Sequence, residues 1–132
     1  MSLEFLQPQG WPRASGYAHG VAAHGRLVFI SGQVGWDEKQ RFLASDLPGQ
    51  VRTALENVAV VLAAAGGRPE HITRMTWYVV DKDDYRRRRG DIGASYRLVM
   101  GRHFPAMSVV EVSGLVEDEA LVEIEATAVV PA

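Results

Sequence analysis

The stretch FPAMSVVEVSGLVEDEALVEIEATAVV, Phe104 to Val130, decides the fold. Within it two runs, Ser108 to Gly114 and Leu121 to Val129, alternate apolar with polar residues. An acidic connector, Val116 to Ala120, carries Glu117, Asp118 and Glu119 between them. Alternation at period two marks a strand with one buried face, so the stretch reads as strand, turn, strand. In the second run Val122, Ile124, Ala126 and Ala128 share one face, and Glu123, Glu125 and Thr127 share the other. In the first run Val110 and Val112 are expected to point to the core, with Glu111 and Ser113 opposite them. A sheet face that carries carboxylates either meets water or walls a site, and the pattern leaves both open.

Working back from there, Leu47, Val51, Leu55, Val58, Leu62 and Ala65 recur every three or four residues and predict a helix from Leu47 to Ala65. Asp46 or Ser45 caps its start, Pro48 suits the first turn and Gly66-Gly67 stops it. Arg74 to Val80 is a β-rich strand with Met75, Trp77 and Val79 on one face. A second helix is expected from Tyr85 to Met100, capped by Asp83, with Tyr85, Ile92, Tyr96, Val99 and Met100 on its apolar side. Its run Arg86 to Arg89 spans more than one turn and reads as a solvated face paired with Asp83, Asp84 and Asp91. Gly90 and Gly93 weaken that helix, so at least one is expected to serve close packing or a kink.

Near the front, Tyr17 to Ala23 and Arg26 to Ser31 are strand candidates joined at His24-Gly25, which predicts a hairpin. Val28 and Ile30 face the core there, and Leu27, Phe29 and Ser31 face away. Residues 1–16, with Pro8 and Pro12, form a peripheral segment or short edge. The order ββαβαββ, without repeat or linker, predicts an α/β domain over residues 1–132, one mixed or antiparallel sheet with two helices on one face. Nothing in the chain is left to cover the other face, which carries Leu27, Phe29 and Tyr78, so another copy of the chain is expected to bury part of it.

Composition narrows the function. A chain of 132 residues, 47% hydrophobic and 23% charged, suits one ordered domain with a single core. Absence of cysteine excludes disulfides, thiolate catalysis and cysteine metal sites, and fits a reducing compartment. Met1 to Arg13 does not read as a secretory signal and no apolar run approaches the roughly 20 residues of a membrane span, so a cytoplasmic protein without membrane contact is expected. A net charge of −2 gives no general drive toward nucleic acid. Ser31-Gly32-Gln33-Val34-Gly35 lacks the lysine and helix of a phosphate loop, His19, His24, His71 and His103 lack metal-site spacing, and no Gly-x-Ser-x-Gly elbow occurs. Neither a metal nor a cofactor is expected. The polar groups left beside strands are Tyr17, Ser31, Glu111, Glu123 and Glu125.

Several motifs recur in order: Gly16-Tyr17 with Gly20-Val21, Phe29-Ile30-Ser31-Gly32-Gln33, a helix from Gln50 to Gly66 containing Leu55-Glu56-Asn57-Val58, Phe104-Pro105-Ala106 followed by Ser108-Val109-Val110-Glu111-Val112, and Val122-Glu123-Ile124-Glu125-Ala126. Together they make the chain resemble the Rid proteins, also called the YjgF family, from Tyr17 to Pro131. The resemblance implies a chorismate-mutase-like fold in a homotrimer whose sheets form a central barrel, with three clefts between subunits. It also implies cofactor-free hydrolysis of reactive 2-imino acids, released by pyridoxal-phosphate enzymes, to 2-keto acids and ammonia. In the family an arginine holds the substrate carboxylate, a glutamate places the attacking water, and a tyrosine and a serine complete the pocket.

Carried over by position, Glu123 matches the catalytic glutamate, Tyr17 the pocket tyrosine and Ser31 the pocket serine. The family's Pro-Ala-Arg-Ser is Pro105-Ala106-Met107-Ser108 here, so a neutral thioether replaces the carboxylate fork. Loss of such a charge-assisted contact costs about 1.5 to 3 kcal/mol, or about tenfold to a hundredfold on a small imino acid. Val109 stands where many members have cysteine, and Gly93 where many have asparagine. Three readings follow: an imine or enamine hydrolase with a larger, more apolar substrate suited to Met107 and Trp36; a trimeric protein that binds a small metabolite without turnover; or the ribonuclease or translation-inhibitor activity described for some relatives. Arg102, five residues before Met107, is a candidate replacement charge in the first.

Overall fold

Helix α1 forms where the apolar spacing predicts it, from Leu47 to Ala64, in a computed structural model that describes residues 3–132. Met1 and Ser2 of the expected peripheral segment lie outside the described residues. The Asp46 carboxylate accepts from the Gly49 N–H at 3.2 Å, which satisfies one of the orphan donors of the first turn. At the far end Gly66 takes φ +79°, and the Gly66 and Gly67 N–H groups donate to the carbonyls of Ala63 and Leu62. One face of α1, with Val51, Leu55, Val58 and Leu62, is wholly buried.

Four strands make the main sheet: β3 (Arg26–Val34), β4 (Ile72–Val79), β5 (Ala106–Glu111) and β6 (Val122–Val130), in the order β3-β6-β4-β5. β6 is antiparallel to both β3 and β4, and β4 runs parallel to β5. Two β-helix-β crossovers result: α1 links β3 to β4 with β6 in the slot between, and the second helical region links β4 to β5. The helices cover one face, where Ile30, Met75, Trp77, Val79, Val122 and Ile124 meet α1 and the second helical region in a single core. The buried Gln50 clamps the acidic connector to that core. Its amide donates to the carbonyls of Ala44 and Glu119, and its carbonyl accepts from the Leu121 N–H.

Four expectations are corrected. The predicted hairpin around His24-Gly25 does not form. Strand β2 (Gly20–Ala22) instead pairs antiparallel with β1 (Glu4–Leu6) in a separate two-stranded sheet, because β6 takes the edge of β3. The second helix starts earlier and is split into α2 (Lys82–Arg87) and α3 (Arg89–Met100) at Arg88, whose φ of −107° and ψ of 20° leave the helical region. Asp81 rather than Asp83 caps it, accepting from the N–H groups of Asp83 and Asp84. Finally, β5 has the opposite parity: Met107 and Val109 pack on the core and Val110 is exposed. The doublet Val109-Val110 makes either parity readable, and the parallel register, Met75 beside Met107 and Trp77 beside Val109, selects between them. Val112 lies just past the end of β5, its N–H on the Val79 carbonyl.

The face away from the helices keeps the predicted Leu27 and Phe29 and gains Val110. Leu27, Phe29 and Val110 are 60%, 75% and 43% exposed there. No helix among the described residues is long and apolar enough to cross a membrane.

Candidate active site

A cavity of about 740 Å³ opens between α3, β5 and the segment that precedes β2. It gathers Tyr17, Gly93, Met107 and Val109, four of the positions singled out in the sequence, from three separate parts of the chain. The reversed parity of β5 is what aims Met107 and Val109 into it. Tyr17 is brought alongside because the Ala18 N–H donates to the Pro105 carbonyl at 3.0 Å, laying this segment against the start of β5.

The cavity floor is aromatic. Trp77 rises from β4 and meets Tyr85 edge-on at 6.4 Å between centroids, and Tyr96 stacks on Phe104 at 5.4 Å with planes 8° apart. Tyr96 donates its hydroxyl to the His103 carbonyl, and His103 Nε2 donates to the Ile72 carbonyl at 2.7 Å, tying the end of α3 to β4. Burial pushes the hydroxyl of Tyr96 well above the usual tyrosine range and raises that of Tyr85, where the neighbouring Arg89 works in the opposite direction. Both hydroxyls therefore stay protonated at neutral pH. Trp77 is only 2% exposed, yet its Nε1–H has no partner among the described residues.

Two arginines that sequence reasoning passed over line the same cavity, Arg89 and Arg97. Arg86, Arg87 and Arg88 pair with Asp83 and Asp84, as a solvated face should, whereas Asp91 joins none of these pairs. Arg89 is different: its guanidinium lies 5.9 Å from the centroid of the Tyr85 ring. Arg97 Nη1 sits where a Cβ on Gly93 would be 3.3 Å away, so the missing side chain at Gly93 makes room for it. A signal was present in the sequence, since Arg89, Gly93 and Arg97 are spaced four apart and share a helix stripe.

Ser31, Trp36 and Glu123 do not line this cavity. Glu123 stands on the open face of β6, against the irregularity between Ile30 and Gln33 that leaves Ser31-Gly32 out of the ladder. Its carboxylate occupies the space over Gly32, where a Cβ would come within 1.9 Å of Oε2. Glycine at this position is thus a condition for placing the carboxylate there. Ser31 is exposed beside it, with the Gln33 amide donating to its carbonyl at 3.1 Å and near its hydroxyl at 3.4 Å. Trp36 packs against Phe42 at 5.6 Å, and its carbonyl accepts from the Asn57 amide, which also reaches the Val34 carbonyl. Asn57 so fixes the loop after β3.

The other two carboxylates serve structure. Glu125 accepts from the Tyr78 hydroxyl, and that hydrogen bond, with some burial, raises the Tyr78 hydroxyl above its usual range. Glu111 accepts the Lys82 N–H at the start of α2. Arg102 lines a separate hollow beside Phe5 and Leu6, and Arg74 a shallow one beside Met107 and Ser108. Among the described residues no cluster of three histidine, aspartate or glutamate side chains is arranged to hold a metal ion.

Known proteins share both the sequence and the shape. The family model described as Endoribonuclease L-PSP matches residues 11–130. The 2-iminobutanoate/2-iminopropanoate deaminase of Salmonella typhimurium is 38% identical over 122 residues, covering 89% of this chain and 91% of the relative. Among solved structures, the Rid-family protein YyfB of Yersinia pestis superposes with a TM-score of 0.88 at 30% identity, covering 98% of this chain and 100% of the other. The YjgF gene product of Escherichia coli superposes with a TM-score of 0.69 at 32% identity, covering 96% and 98%. With its motifs, its sheet order and these relatives in agreement, the chain belongs to the Endoribonuclease L-PSP family, the Rid or YjgF proteins.

Proposed function

We propose that this protein is a Rid-type imine or enamine hydrolase that releases ammonia from a reactive metabolite other than the usual small 2-imino acids. The observation that carries this reading is the convergence of Tyr17, Gly93, Met107 and Val109 on one cavity, and the family resemblance assigns Met107 to the position of the carboxylate-binding arginine. Glu123 and Ser31 lie on the open face of the sheet, so the complete site takes its carboxylate from a second copy. A homotrimer with clefts between subunits meets that requirement and also covers Phe29 and Leu27.

In such a cleft the Glu123 carboxylate accepts a proton from water as the water oxygen bonds to the imine carbon and the C=N π electrons move to nitrogen. The tetrahedral carbinolamine then collapses. Glu123 first gives its proton to nitrogen; the carboxylate then takes the hydroxyl proton and passes it to nitrogen as the C=O forms and the C–N bond breaks, so nitrogen leaves as ammonia carrying both protons of the water. One imine and one water become one carbonyl compound and one ammonia, with no redox change. The hydroxyls of Tyr17 and Ser31 orient the substrate, and the Gly32 backbone keeps the carboxylate from swinging away.

A metabolite-binding protein without turnover is the second reading, supported by the loss of the fork at Met107. Ribonuclease activity has little electrostatic support, with a net charge of −2 and three of the four consecutive arginines paired. The test is ammonia release from imines generated in situ from small and aromatic amino acids. Glu123→Ala is expected to lower the rate by about 10²- to 10⁴-fold. An unchanged rate removes Glu123 from its role, and tight retention of a metabolite without ammonia release favours the binding protein.

A further inference from the structure

The cavity is not neutral. Arg89 and Arg97 line it, no aspartate or glutamate does, and neither arginine enters an ion pair among the described residues. Around these donors the surface is apolar and aromatic: Tyr96, Phe104, Met107 and Val109.

We propose that the cavity binds an anion carried on a bulky apolar or aromatic body, with the anionic group held by Arg89 and Arg97. The body lies on Phe104, Met107 and Val109. Gly93 is midway between the arginines on α3, and its missing side chain leaves room for the Arg97 guanidinium against the helix. Two guanidinia on a helix thus take over the charge recognition that Met107 has lost from β5, and they do so farther from the strand, which lengthens the ligand the site accepts. For the hydrolase this names the substrate class as the imine of a large apolar or aromatic amino acid, a step that rests on the reading above.

The test uses the full-length protein and isothermal titration with phenylpyruvate, its methyl ester and 2-oxobutanoate. Wild type is expected to bind phenylpyruvate at least about tenfold more tightly than the ester or the small keto acid. Arg89→Gln and Arg97→Gln should each weaken phenylpyruvate by about tenfold, and the pair by about a hundredfold, while the ester is unaffected. Both side chains are exposed, so folding is not at stake, and a fall in ester binding would reveal a general structural effect rather than charge recognition. Equal affinity of wild type for acid and ester, or of the double variant and wild type for the acid, overturns the proposal. Ammonia release separates it from the hydrolase reading. Arginine-dependent binding without turnover leaves the anion site standing and removes the reaction, whereas turnover of aromatic imines whose KM ignores both arginines removes the anion site and leaves the reaction.

Discussion

Along β6, Val122, Ile124, Ala126 and Ala128 are buried beneath the helices, while Glu123, Glu125 and Thr127 look from the same strand onto a face where the neighbouring Phe29 lies open. The first face is complete in one chain. Its apolar residues are covered, and its buried polar group, Gln50, has partners for its donors and its acceptor. The second is half built. Tyr78 and Glu125 satisfy each other there, Glu123 is held over Gly32, and three large apolar side chains remain in water. Such a mixture is a poor solvent face and a good interface: the polar groups are organised beforehand and the apolar ones await cover. The difference teaches that one side of the sheet is finished within the chain, while the other holds organised polar groups beside uncovered apolar ones.

Breaking the open face should have the largest effect on function. In Phe29→Glu the chain is expected to keep its helical circular dichroism, to sediment as a monomer and to lose ammonia release by about a hundredfold or more, because in the proposed assembly a charge would replace a contact between subunits. A variant that stays assembled and active would show that Phe29 simply faces solvent. Breaking the covered face should act on stability instead. Leu55→Ala empties a fully buried position beneath α1 and is expected to cost about 2 to 5 kcal/mol in denaturant titration. The smallest effect sharpens the comparison at the cavity rim. Met107→Arg restores a fork on β5 and is expected to raise turnover of small 2-imino acids by about tenfold; no gain would mean that the cavity has diverged beyond that one position.

The covered face was legible in the sequence because burial imposes a period. The spacing Leu47, Val51, Leu55, Val58, Leu62 marks α1 to within a residue of its end, and Met75, Trp77, Val79 marks β4. Where both parities of a strand are apolar, as at Val109-Val110, period alone cannot choose, and the register with β4 decides. Pairing partners were likewise hidden, since the local chemistry of His24-Gly25 suits a hairpin and only the arrival of β6 beside β3 rules it out. At the cavity, motif matching brought out Tyr17, Gly93, Met107 and Val109 but passed over Arg89 and Arg97, which look like any solvated helix charge until Gly93 and the aromatic floor are seen between them. Ser31 and Glu123 carry the reverse lesson, because one chain holds them apart from that cavity.

The claim that two copies build one site is tested most directly by complementation. Tyr17→Ala and Glu123→Ala chains, each expected to be inactive alone, are co-expressed with different tags, and mixed oligomers are purified through both. If Tyr17 and Glu123 act from different subunits of a trimer, each doubly tagged oligomer has one of its three clefts with both residues intact, and ammonia release returns to about a third of the wild-type rate. Mixed oligomers that form normally and release ammonia no faster than either parent would place both residues in one chain's site and contradict the account.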